Sequence, residues 1–125
     1  MRLPSLAAPL ALVLALALSS CGSDDAAPAD SQGATQDGDS VALTVTREGD
    51  EFTPNGERVE LAVDQTLLLT VDADVAGELH VHSTPEQTIA YDKGTTEHEI
   101  TIDQPGVVEV ENHEPAVVVL QLEVR

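Results

Sequence analysis

Apolar and polar residues alternate along most of the chain from Val41 onward, and this alternation constrains the fold more than any other feature. Successive side chains of a β-strand project to opposite faces, so alternation predicts strands that each bury one face. The alternating segments are residues 41–46, 57–63, 66–73, 78–82, 95–102, 106–112 and 116–124. No window after residue 20 has the period of a helix. The residues predicted to face the core are Val41, Leu43, Val45, Val59, Leu61, Val63, Leu67, Leu69, Val71, Leu79, Val81, Ile100, Ile102, Val108, Val110, Val118, Leu120, Leu122 and Val124.

Turn-forming residues separate these segments. Residues 54–56, 64–65, 74–77, 92–94, 103–106 and 113–115 are rich in Gly, Pro, Asp and Asn, which favour turns. Short strands at a spacing of roughly 8–12 residues are typical of two packed sheets. The pattern therefore predicts an all-β domain over residues 41–125, a small antiparallel Greek-key β-sandwich. Its core is aliphatic, because Phe52 and Tyr91 are the only aromatic residues, and stacking platforms for bases or sugars are excluded.

The beginning of the chain has the parts of a secretory signal peptide. Arg2 precedes an apolar run over residues 6–18, LAAPLALVLALAL. This run is well short of the roughly 20 apolar residues that a membrane-spanning helix needs. The sequence Leu-Ser-Ser-Cys that ends at Cys21 resembles a bacterial lipobox. We therefore expect residues 1–20 to be removed and Cys21 to carry the acyl chains; the alternative is an ordinary secretory signal with a chance cysteine.

A lipidated Cys21 predicts a protein anchored on the extracytoplasmic face of the cell membrane without spanning it, since two acyl chains anchor stably. It also leaves no cysteine for a disulfide, because Cys21 is the only one. Residues 22–40 contain five Asp and no Val, Leu, Ile or aromatic residue. Such a segment cannot bury enough apolar surface to fold, so we expect a disordered acidic tether there.

The chain is strongly acidic, with a formal net charge of −18. Loss of Arg2 with the signal peptide makes the remainder more negative still. Such a surface repels phosphate backbones, which excludes nucleic acid as a partner, and it attracts cations and basic proteins. Solubility at the cell surface is the simpler explanation of the charge. We expect a monomer.

An Asp64-Gln65 turn is followed by an apolar strand, Gly-Glu-Leu-His-Val-His at residues 77–82, Lys-Gly-Thr-Thr at 93–96 and Gln-Pro-Gly-Val-Val-Glu-Val at 104–110. This order of motifs resembles the cupredoxin fold, in particular the cupredoxin-like domains of exported bacterial lipoproteins. The resemblance covers roughly residues 52–124. It implies a copper site made from a histidine after the middle strands and a later loop that carries a cysteine, a second histidine and often a methionine.

The chain departs from that pattern at the residues that bind blue copper. Asn112 stands where the family has its cysteine, while Cys21 and Met1 are the only sulfur-containing residues. A blue-copper centre needs a thiolate ligand. The resemblance therefore implies the fold but not blue-copper electron transfer.

Histidines form the remaining candidate site. His80 and His82 lie on one strand face about 6.8 Å apart, Glu78 shares that face, and the cupredoxin resemblance implies that the loop of His113 lies nearby. Imidazole and carboxylate ligands suit Cu(II) or Zn(II). The alternative is that these are surface histidines without a metal. We place His98 at the rim of the domain, outside the site.

Two classes of function follow from these features. The first is a membrane-anchored extracytoplasmic lipoprotein that binds copper or zinc through histidines. The second is a non-catalytic acidic module that contacts an envelope protein without a metal. An enzyme is not expected, because nothing resembles a nucleophile with its base and oxyanion donors. Acidic pairs such as Glu109 and Glu111 are interpreted as solvated surface.

Overall fold

The computed structural model describes residues 33–125, and its ten regular elements are all β-strands. The predicted signal peptide, the predicted lipidation site Cys21 and residues 22–32 of the predicted tether lie outside the described residues. In chain order the strands are β1 (Thr35–Asp37), β2 (Ser40–Glu48), β3 (Glu51–Thr53), β4 (Glu57–Leu61), β5 (Thr66–Ala73), β6 (Gly77–Val81), β7 (Gln87–Tyr91), β8 (Gly94–Thr101), β9 (Gly106–His113) and β10 (Ala116–Val124).

The strands form two five-stranded sheets. The first sheet has the order β1-β2-β5-β8, and β3 also pairs with β2. The second sheet has the order β4-β10-β9-β6-β7. The β2–β5 and β4–β10 pairs are parallel, whereas the other pairs are antiparallel. The sheets are therefore mixed, which corrects the prediction of purely antiparallel pairing.

A single aliphatic core lies between the two sheets. Side chains that alternate along β2 and β5 in the first sheet and along β6 and β9 in the second face inward, as the period of two predicts. The predicted all-β sandwich is thus confirmed. The largest fully buried side chains are Leu67, Leu69, Leu79, Ile100, Leu120, Leu122, Val41, Val45, Val59, Val71, Val81 and Val110.

The folded domain begins earlier than the sequence predicts. Residues 35–37, which were predicted as tether, form β1 and pair with residues 40–42 of β2. Backbone hydrogen bonds hold this short edge strand without apolar side chains of its own. The neighbouring Ala34 is partly buried against the core.

Two residues predicted to face the core lie elsewhere. The pairing of β9 and β10 shifts between Val118 and Leu120. The extra residue of such a bulge changes which side chains point inward, so Val119 is buried and Val118 only partly so. Val63 is exposed because β4 ends at Leu61.

A buried arginine joins the two sheets near the ends of β2 and β7. Arg47 is 8% exposed. Its Nη1 donates a 2.7 Å hydrogen bond to the Tyr91 hydroxyl, and its guanidinium lies 5.3 Å from the centre of the Phe52 ring. Gly77 allows this arrangement, since a side chain there would meet Arg47 and Tyr91. Among the described residues, no helix is long and apolar enough to cross a membrane.

Candidate metal site

The outward face of the second sheet carries the predicted histidines. On β6, Leu79 and Val81 face the core, so Glu78 and His80 face outward. The pairing of β6 with β9 places His80 opposite Glu111. Pairing continues past the end of β6, because the His82 N–H donates to the Glu109 carbonyl at 2.9 Å. Two strands therefore bring histidines and glutamates together on one surface.

His82, Glu111 and His113 form the tightest group. The Nε2 of His82 lies 3.0 Å from the Oε2 of Glu111, and the Nε2 of His113 lies 4.0 Å from the same oxygen. One ligand atom from each residue lies within 4.8 Å of the other two. This is a triangle of two imidazoles and one carboxylate on the outer face of the second sheet, where the chain beyond β6 pairs with β9.

The triangle is close to the size that a bound ion requires. Ligand atoms about 2.1 Å from a tetrahedral ion are roughly 3.4 Å apart. His82 and His113 are exposed, which leaves their side chains room to turn toward a shared ion. Glu111 is half-buried and lies between the two rings. Two nitrogen ligands and one oxygen suit Zn(II) and Cu(II).

His80 lies beside this group and has partners at both ring nitrogens. Its Nε2 is 2.6 Å from Glu78 Oε1, and its Nδ1 is 3.1 Å from Glu86 Oε1. The hydrogen bond with Glu86, followed by that with Glu78, raises the pKa of His80 above 6.5. The same contact with His80 lowers the pKa of Glu86. The His80 ring stacks on His113 with the ring centres 4.2 Å apart and the planes 13° apart.

The structure thus separates the metal ligands predicted from the sequence into two groups. His82 and His113 come together, whereas His80 and Glu78 bind each other at the side of the group. Glu111, interpreted from the sequence as solvated surface, does lie on the outer face, where its side chain is 27% exposed and its carboxylate contacts His82 Nε2.

The sequence held a signal for this residue: Glu111 precedes His113 by two positions, as Glu78 precedes His80. Glu86, which no pattern singled out, comes from the loop between β6 and β7. His98 lies apart on β8, where its Nε2 is 3.1 Å from Thr96 Oγ1.

A shallow depression of about 440 Å³ adjoins the group. Arg47 and Asn112 line its inner part, while His80 and His113 line its rim. His113 is therefore accessible from this depression as well as from the open face of the sheet.

A blue-copper centre does not fit these residues. Asn112, at the position of the family's cysteine, is 3% exposed and faces the interior. Its Nδ2 donates a 2.7 Å hydrogen bond to the Pro115 carbonyl, so it acts as a structural residue of the β9–β10 turn. Residues 33–125 contain neither cysteine nor methionine, and a thiolate ligand is therefore absent from this part of the chain.

Two solved structures resemble this chain at low sequence identity. No protein-family model matches the chain, and no curated protein matches it. The chain is similar to one from the cryo-EM structure of a heme-copper terminal oxidase dimer, with 19% identity, a TM-score of 0.49 and coverage of 70% of this chain and 66% of that one. It is also similar to a purple cupredoxin from Nitrosopumilus maritimus, with 16% identity, a TM-score of 0.47 and coverage of 66% and 98%. The chain spans about two thirds of the oxidase chain.

Proposed function

We propose that this protein is an exported lipoprotein whose β-sandwich binds a divalent transition-metal ion, Cu(II) or Zn(II), through His82, Glu111 and His113. The observation that supports this most is that the three ligand atoms lie within 4.8 Å of one another. The role is non-enzymatic, and the protein acts as a monomer held to the membrane by acyl chains on Cys21.

The charge around the group supports a cation as its ligand. Glu78, Glu86 and Glu109 lie on the same face or beside it, and the chain has 23 acidic against 5 basic residues. A surface of one sign raises the local concentration of ions of the other sign. Three protein ligands leave positions for water or an incoming group, so the ion in this site would be exchangeable.

The proposal is tested by calorimetric titration of the purified, metal-free protein with Cu²⁺ and with Zn²⁺. We expect one ion per chain and an affinity well above that of a peptide with the same histidines. The combined substitution H82A/H113A should weaken binding about 100-fold, because the remaining carboxylate is a poor site by itself. H98A is the matched control and should bind as the wild type does. Equal affinity of H82A/H113A and wild type would refute the site.

An acidic interaction module is the second candidate. Strands β5 and β8 contain no Lys or Arg, whereas Asp72, Glu97 and Glu99 are exposed there. This side of the first sheet suits a basic envelope protein. Crosslinking in membranes should then capture a partner that is released by salt and is retained by H82A/H113A. If E97Q/E99Q captures the same partner with equal yield, this face is not the contact.

A further inference from the structure

Without a neighbouring group to hold it, the side chain of His113, one of the three proposed metal ligands, would be poorly ordered. His113 is 58% exposed at the end of β9. An imidazole this exposed ordinarily samples several rotamers, and fixing it in one of them would cost conformational entropy each time a metal binds. In this structure, however, the ring has a defined place, because it lies against the ring of His80 at 4.2 Å and 13°.

His80 can provide that support because it is itself held on two sides. Glu78 contacts one ring nitrogen at 2.6 Å and Glu86 contacts the other at 3.1 Å. Each ring nitrogen of His80 is therefore occupied by a contact with a glutamate carboxylate, and neither one belongs to the triangle of His82, Glu111 and His113. The side chain is 21% exposed, the least of the three histidines.

We propose that Glu78, His80 and Glu86 form a positioning platform that orients His113 for metal binding, and that His80 is not itself a ligand. This inference rests on the proposed function. Two carboxylates flank a single imidazole, so the platform is net negative whether or not the ring is protonated and does not repel a cation. Groups that orient a metal ligand typically change affinity by about 10- to 100-fold when they are removed.

The first test compares metal affinity and ligand set. E86Q and H80A should each weaken Cu²⁺ binding about 10-fold, whereas E109Q controls for the loss of one carboxylate on the same face and should change affinity less than 3-fold. Electron paramagnetic resonance of the Cu²⁺ form should show two nitrogen ligands in the wild type and in H80A. Loss of a nitrogen ligand in H80A, or wild-type affinity of both variants, would overturn the platform.

The second test needs no metal and separates this inference from the proposed function. In the metal-free protein, the ring protons of His113 should have chemical shifts displaced by the stacked His80 ring. E86Q should move those shifts toward the values of a free histidine, and E109Q should leave them in place. If the wild-type protein binds no metal, the proposed function fails. The chemical shifts still show whether Glu78, His80 and Glu86 hold the ring of His113 in place. Unchanged His113 shifts in both H80A and E86Q would contradict it.

Discussion

At the scale of single residues, the histidines on the second sheet differ in the carboxylates that they contact. His80 has carboxylates at both nitrogens, and His82 shares a carboxylate with His113. The first arrangement favours the protonated ring, whereas the second leaves a ring nitrogen of each histidine near a common carboxylate. Neighbouring histidines on one face thus have different chemistry, which residue type alone does not reveal.

The pH dependence of His80 follows from this arrangement. Its pKa is raised above 6.5 by Glu86 first and Glu78 second, so its stabilising contribution is complete below 6.5 and disappears as the pH rises through the raised pKa. Glu86 has a lowered pKa, and its contribution is complete above 4.5 and disappears as the pH falls through the lowered pKa. Titration by nuclear magnetic resonance should give a pKa for His80 that falls in E86Q. An identical pKa in both proteins would contradict the contact.

Gly77 is the backbone position at which one added methyl group should matter most. A Cβ there would meet the Tyr91 hydroxyl and lie 2.6 Å from Arg47 Nη1. Overpacking of this kind costs about 1–3 kcal/mol, so G77A should lower the free energy of unfolding by that amount in urea denaturation. G77A should cost less in a Y91F background than in the wild type, because the clashing oxygen is gone; Y91F alone is the reference, since it loses the hydrogen bond with Arg47. Equal stability of G77A and wild type would show that Arg47 and Tyr91 move aside without loss of free energy of unfolding.

At the scale of elements, side chains on the two faces of β5 contribute differently to the free energy of unfolding. Leu67 is fully buried, whereas its neighbour Leu68 is partly exposed on the outer face. L67A should therefore lose about 3 kcal/mol of unfolding free energy, as buried leucines do, and L68A about 1 kcal/mol. Urea denaturation measures both. A larger loss for L68A would mean that the strand faces are reversed.

The strand faces could be predicted because the period of two depends only on local sequence. Leu67, Leu69 and Val71 are buried as expected. Strand β7 was missed because the apolar Ala90, which is exposed on the outer face, lies between the inward Ile89 and Tyr91 and obscures the alternation. The bulge at Val119 depends on pairing with β9, and a single segment does not contain that information.

The site was partly predictable for the same reason. His80 and His82 share a strand, so their common face follows from sequence. Glu111 joins His82 only because β6 pairs with β9 in one register, and Glu86 reaches His80 only through the path of a loop. Contacts between strands are set by the packing of the whole sandwich and leave no local pattern.

At the scale of the whole molecule, the net negative charge destabilises the folded state through repulsion. The chain carries a formal charge of −18, and the described Arg58 and Arg125 ion pairs are exposed. Such pairs contribute about 0–1 kcal/mol each, so repulsion among the acidic residues should dominate the response to salt.

Raising ionic strength from about 10 mM to about 150 mM shortens the Debye length from about 30 Å to about 8 Å. The melting temperature should rise by about 5 °C, which corresponds to roughly 1 kcal/mol for a domain of this size. Thermal unfolding followed by circular dichroism in NaCl measures it. A fall in melting temperature would mean that the ion pairs outweigh the repulsion.

The central claim is the metal site on the outer face of the second sheet, and a crystal structure of the protein with Zn²⁺ or Cu²⁺ tests it most directly. An anomalous difference map should show one ion about 2.0–2.2 Å from His82 Nε2, His113 Nε2 and a Glu111 oxygen, with His80 still between Glu78 and Glu86. An ion bound elsewhere, or no ion at this triangle at saturating metal, would contradict the account.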